Sequence, residues 1–291
     1  MSIRSLLESI QDRWHHRRVP RVAVVQLHGA LGTRFGRSGL TLEQVNPLLE
    51  RAFQARNIRA VALVVNSPGG SPVQANLIAE RIRQLARLHE REVIAFVEDL
   101  AASGGYWLAC AADRIYADRV SVVGSIGVIS HGFGFQDAIQ RLGIERRVHT
   151  AGESKGMLDP FQPERSEDVE RLEGILSDVH AAFIAAVRER RGGRLNDAAG
   201  DLFTGAFWTA PQALERGLID GLGSMHQVLQ DRFGRRVRLE HIRRRQPVFR
   251  RWIPGMAQDD AAVHATSAAA GLAGVALGAL EERALWSRYG L

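Results

Sequence analysis

The chain alternates short apolar runs with longer amphipathic stretches. Ala60-Val61-Ala62-Leu63-Val64-Val65 is apolar without a break, the pattern of a parallel strand buried on both faces. Glu92-Val93-Ile94-Ala95-Phe96-Val97 has the same character. Between them Leu77, Ile78, Ile82, Leu85 and Leu88 recur so that one face of a helix is apolar. Carried along the chain, this reading predicts strands near 21–27, 60–66, 92–97, 113–117, 122–129 and 144–149. It predicts helices near 41–56, 73–90, 104–112, 134–142, 166–191, 209–216 and 224–232. Such alternation implies an α/β domain with a mainly parallel sheet.

Two of the strand-to-helix junctions are rich in glycine. The first strand named above runs into Asn66-Ser67-Pro68-Gly69-Gly70-Ser71. Paired glycines there let backbone N–H groups face a ligand without side-chain obstruction. No G-x-x-x-x-G-K-[ST] or G-x-G-x-x-G pattern occurs at this turn, so it is not read as a phosphate loop. The second junction is Ala101-Ala102-Ser103-Gly104-Gly105-Tyr106-Trp107. A serine between a strand and a helix, flanked by minimal side chains, can hold its hydroxyl out of a tight turn. The Gly104 N–H then lies in the first helical turn, where donors lack partners and the dipole favours negative charge. That combination is how an oxyanion hole is built.

Composition sharpens the picture at one position. The chain has 37 arginines and a single lysine, Lys155. Arginine stays charged in proteins, whereas a buried lysine can give up its proton near neutral pH. Lys155 is therefore the candidate base for Ser103. The neighbouring Met157, Leu158 and Phe161 could desolvate it, and Glu153 and Asp159 must then point elsewhere. His131, in a glycine-rich turn, is the rival base. The single cysteine, Cys110, excludes an intramolecular disulfide. No H-E-x-x-H or C-x-x-C pattern implies a metal, and no cofactor is expected.

Several segments together resemble one family. They are N-S-P-G-G at 66–70, A-A-S-G-G-Y-W at 101–107, G-S-I-G-V at 124–128 and G-E-S-K-G-M-L-D-P-F at 152–161. Two later runs, G-A-F-W-T-A-P-Q-A at 205–213 and G-L-I-D-G-L-G at 217–223, extend the match. In this order they resemble the signal peptide peptidase A family, also called protease IV, of Ser–Lys serine peptidases. The resemblance implies a Clp protease/crotonase-like superhelix of β-β-α units, in the half-length rather than the tandem form. It implies Ser103 as nucleophile and Lys155 as general base, with Ser125 orienting the lysine and the N–H groups of Gly69 and Gly104 forming the oxyanion hole. The implied activity is endopeptidase cleavage of hydrophobic peptides, such as remnant signal peptides or unfolded membrane-protein segments. It also implies a homo-oligomer, expected to be an octamer, with active sites shared between subunits. Spacing alone allows the dyad to form within or between them. Two other readings keep the fold: a crotonase-like acyl-CoA enzyme without a nucleophile, and a non-catalytic scaffold at the membrane periphery. The first of these does not account for Ser103 and the lone lysine occurring together.

The ends divide the chain into an expected basic amphipathic helix over 1–20, a peptidase domain over 21–240 and a tail over 241–291. Ile3, Leu6, Leu7, Ile10 and Trp14 recur at helical spacing beside Arg13, Arg17 and Arg18, a pattern suited to an anionic membrane surface or to packing on protein. No run in 1–20 is long enough for a span, which departs from the family's usual membrane anchor. The expected location is cytoplasmic, either free or peripheral on the membrane. The tail is basic and then rich in Ala and Gly. A net charge of +6 without an aromatic-lined repeat gives no specific nucleic-acid signal.

Overall fold

Three long parallel strands carry the fold: β1 (Arg21–His28), β4 (Ile58–Ser67) and β5 (Glu92–Ala102). The computed structural model describes residues 19–34, 37–198, 200–243 and 283–290. Two two-residue strands, β2 (Thr33–Arg34) and β3 (Arg37–Ser38), form a separate antiparallel pair after β1. The remaining strands are β6 (Arg114–Ala117), β7 (Val122–Gly124), β8 (Phe207–Thr209), β9 (Gly221–Leu222) and β10 (Arg238–His241). The order across the main sheet is β10-β1-β4-β5-β6-β9, with every pairing parallel. Within it, β7 and β8 run antiparallel. This is the mainly parallel α/β architecture that the alternation implied.

Unbroken apolar strands are explained by cover on both sides. Ala23, Val25, Leu27, Val61, Leu63 and Val65 enter one core, and Val22, Val24, Ala60, Ala62 and Val64 enter the other. Successive side chains alternate between the faces, and each face is buried. The larger core is capped by α1 (Leu42–Gln54), α2 (Pro72–His89), α3 (Gly104–Cys110) and part of α5 (Ser166–Arg191). A short helix, α4 (Gln136–Arg141), lies between α3 and α5. After α5 come α6 (Ala210–Glu215) and α7 (Met225–Phe233). Leu229 of α7 is buried in the smaller core, with Met225, Val228 and Phe233 packed around it.

Strand β5 changes partners along its length. Ile94 to Val97 pair with β6, whereas Leu100 to Ala102 pair with β7. Glu98 and Asp99, between the two pairings, are exposed. The strand therefore outlasts the expected range of 92–97 and delivers its last residue directly to Ser103. A buried pair ties the far side of the fold together. Arg191 at the end of α5 bonds Asp220 at 2.7 Å and the Gly217 carbonyl at 2.9 and 2.8 Å.

Two expectations need correction. The strand expected at 144–149 is exposed, irregular chain. Its backbone meets no sheet edge, and its charges pair locally, Arg147 with Glu145 and Arg146 with Asp159. The strand expected over 122–129 stops at Gly124, where φ turns to +121°. From Ile129 to Gln162 the chain forms an arm rather than part of the cores. It folds on itself, the Phe135 N–H reaching the Pro160 carbonyl at 2.6 Å and Phe135 packing on Phe161 at 5.7 Å. Helix α4, on this arm, buries no residue.

Among the described residues no helix is long and apolar enough to cross a membrane. The helix expected over 1–20 lies almost wholly outside the described residues, as does most of the tail expected over 241–291.

Candidate active site

Ser103 sits where β5 passes into α3, at φ +52° and ψ −125°. A side chain with a Cβ pays about 1–3 kcal/mol for such a conformation, and it persists only where the surroundings enforce it. Here both sides of the residue are held. The Ser103 N–H donates to the Gly124 carbonyl at 2.9 Å, while the Ser103 carbonyl accepts from Tyr106 and Trp107 at 2.9 and 3.1 Å. Helix α3 comes close to β4 because Gly105 has no side chain: a Cβ there would lie 2.3 Å from the Ser67 carbonyl oxygen. The turn has the strained strand-to-helix form that exposes a nucleophile, although Ala101 stands where G-x-S-x-G has its first glycine.

The two glycine donors lie against this turn. A Cβ on Gly69 would be 2.8 Å from both the Gly104 nitrogen and the Ser103 Cβ, so the two backbones are in direct contact. Gly69 has φ +96°, the left-handed region that favours glycine. Its N–H donates to the buried Ser67 Oγ at 3.2 Å, a long bond. Gly104 is the first residue of α3, so its N–H has no partner within the helix.

Ser103 is half-buried and lines a cavity of about 370 Å³. Ser125 lines it too, at φ +54° and nearly buried, its N–H held by the Ala206 carbonyl at 2.6 Å. His180 of α5 bonds the Ile126 carbonyl at 3.1 Å and steadies the same turn, which requires the tautomer with a proton on Nε2. The apolar wall consists of Trp107, Phe183, Val179, Val128 and Ile129. Trp107 and Phe183 stack at 4.6 Å with planes 8° apart.

Lys155 is elsewhere. It lies in a short 3₁₀ turn (Glu153–Gly156) on the arm, exposed, and does not line the Ser103 cavity. Asp159 accepts from Arg146 and from the Phe161 N–H at 3.0 Å, so its carboxylate is already engaged. The structure thus brings Ser103, Ser125, Gly69 and Gly104 together and leaves Lys155 apart within one chain. His131 lines the cavity. So do Leu285, Arg288 and Tyr289, from a segment on which sequence reasoning placed no function. The Trp107–Phe183 wall was also missed, since residues so distant in sequence carry no joint signal. Among the described residues no cluster of His, Cys, Asp or Glu could hold a metal ion.

Comparison with known proteins agrees with the motifs. A family model described as peptidase family S49 matches residues 86–233, from the end of α2 through α7. A protein of Brucella abortus named Na(+)/H(+) antiporter NhaA is 48% identical over 273 residues, covering 93% of this chain and 37% of its own length. This chain therefore spans little more than a third of that relative, most of which lies outside the match. Protease 4 of Haemophilus influenzae is 30% identical over 234 residues, covering 77% of this chain and 36% of its own length. Among solved structures, a serine-to-alanine mutant of the membrane-bound stomatin-specific protease 1510-N matches with a TM-score of 0.47 and 17% identity. It covers 78% of this chain and 99% of its own.

Proposed function

The chain belongs to peptidase family S49, and from that premise we propose that it is a serine endopeptidase completed by assembly, with Ser103 of one copy served by Lys155 of another. One observation carries this reading. Ser103 is held in an enforced, strained turn beside Gly69 and Gly104, while the single lysine stands exposed on an arm away from that cavity. The arm also exposes Phe133, Leu142 and Ile144, which is apolar surface suited to contact with a second copy.

In the proposed reaction the Ser103 Oγ attacks the scissile carbonyl carbon and its proton passes to the neutral Lys155 amine. The carbonyl oxygen gains the negative charge and is met by the N–H groups of Gly69 and Gly104. Ser125 positions the amine. Collapse breaks the C–N bond, and the lysine ammonium returns its proton to the leaving amine. Water then attacks the acyl ester, passing a proton to Lys155, and the acid leaves as Ser103 is restored. The apolar wall of Trp107, Phe183 and Val179 supports hydrophobic peptides as substrates, with remnant signal peptides and unfolded membrane-protein segments in that class. An octamer is the proposed assembly.

The test is complementation. Ser103→Ala and Lys155→Ala should each be inactive in peptide hydrolysis. Mixed after dissociation and reassembly, they should recover a fraction of activity, because some interfaces then pair an intact serine with an intact lysine. No recovery at any ratio, together with an active monomer in light scattering, would refute pairing between copies. His131 lines the same cavity and is the base available within one chain. Lys155→Arg keeps the charge but cannot accept the serine proton. Full turnover in that variant, with His131→Ala inactive, would transfer the role of base to the histidine.

A further inference from the structure

Residues 283–290 begin with a helical stretch, 283–287, and close with a turn. They contribute nothing to either hydrophobic core. They do enter the Ser103 cavity, where Leu285, Arg288 and Tyr289 form part of the lining. Tyr289 makes two specific contacts. Its hydroxyl donates to the Ser125 Oγ at 3.3 Å, and its ring meets Phe207 edge-on, with centroids 5.0 Å apart and planes at 70°.

These contacts have consequences for the cavity. An edge-to-face aromatic pair adds attraction beyond the area it covers. The Tyr289 hydroxyl also occupies the Ser125 oxygen, the atom the proposed mechanism uses to position the lysine amine. A peptide bound along Trp107 and Phe183 and a lysine arriving at Ser125 would both meet this segment.

We propose that residues 283–290 act as a strap across the Ser103 cavity, holding the site closed until peptide or a neighbouring copy displaces Tyr289. The role rests on the peptidase reading, but the binding it requires does not. A strap held by one long hydrogen bond and one aromatic contact is suited to displacement, since Tyr289 is only half-buried and Phe207 is exposed.

The test uses the full chain beside a chain stopped after residue 282, which keeps every residue of both cores. Both carry Ser103→Ala, so nothing is cleaved. A fluorescein-labelled peptide of residues 283–291 is titrated into each and followed by anisotropy. It should bind the shortened chain at least tenfold more tightly, because the full chain already holds its own copy. A peptide carrying Tyr289→Ala should lose at least tenfold of that affinity. Equal affinity for the two chains, or binding to neither, overturns the strap. With Ser103 intact, a fluorophosphonate should label the shortened chain at least fivefold faster than the full one. Labelling of both chains at the same measurable rate also overturns it. If the peptide binds as expected but neither chain is labelled or hydrolyses peptides, the strap stands and the peptidase reading falls instead.

Discussion

Replacing Gly69 by alanine should damage the Ser103 turn and the protein's stability together. The new Cβ would lie 2.8 Å from the Gly104 nitrogen, 2.8 Å from the Ser103 Cβ and 2.9 Å from the Ala102 carbonyl oxygen. None of these is the free end of a flexible side chain, so no rotamer change relieves the crowding. Overpacking of this kind costs about 1–3 kcal/mol. A Cβ at φ +96° adds about 1–3 kcal/mol of backbone strain. The sum, about 2–6 kcal/mol, should lower Tm by about 5–20 °C in a domain of this size. Relief requires the Ser103 turn to move away from Gly69, so the proposed oxyanion donors would lose alignment. Loss of one such donor costs about 10²–10³ in kcat. Thermal melting and the rate of fluorophosphonate labelling at Ser103 read the two effects separately. Gly132→Ala is the control, since an added Cβ there meets nothing within 4 Å. A Gly69→Ala variant with wild-type Tm and labelling rate would show that the contact between these backbones is not what holds the site.

Asp220→Ala should destabilise the fold by about 3–5 kcal/mol, measured by urea unfolding, because Arg191 and Asp220 are both almost fully buried and Arg191 would keep only the Gly217 carbonyl. Burial pushes the Asp220 carboxyl up, but the Arg191 hydrogen bond, the Ile115 N–H and the charges of Arg191 and Arg194 outweigh it and hold its pKa below the usual range. Its contribution is therefore present above about pH 3.9, the ordinary aspartate value, and is lost as pH falls below that through the folded value. Wild type should lose stability in this window, and a variant with the same slope would contradict the assignment. Burial raises the Cys110 thiol to about 11, against the opposing charge of Arg191. Iodoacetamide at pH 8 should accordingly modify Cys110 only after unfolding, and mass spectrometry showing rapid native labelling would contradict its burial. His131→Ala should keep most peptidase activity, and its loss would favour a base supplied within the chain.

The parts legible in the sequence are those whose signal is local. The apolar run at 60–65 lies within β4, and the helix expected over 166–191 spans the same residues as α5. The turn at Ser103 was legible because small residues bracket a polar one between a strand and a helix. Strands β8, β9 and β10 were not, because each is two to four residues long and exists through its pairing in the sheet rather than by propensity. The stretch 144–149 misled for the converse reason. Ile144 and Val148 suit a strand, yet no sheet edge is within reach on the arm. Nor could sequence show that Tyr289 meets Ser125, a contact made by one phenol and unannounced by any periodic pattern.

The placement of Lys155 on the exposed arm, away from the Ser103 cavity, would also have a meaning for the cell that makes this protein. If the site is divided between copies as proposed, catalysis becomes a matter of mass action. A newly made chain would be harmless to its neighbours however well folded, and specific activity would rise steeply with concentration before levelling. Dilution would then serve as a safety catch, and no propeptide would be needed to keep the protease silent before it has assembled.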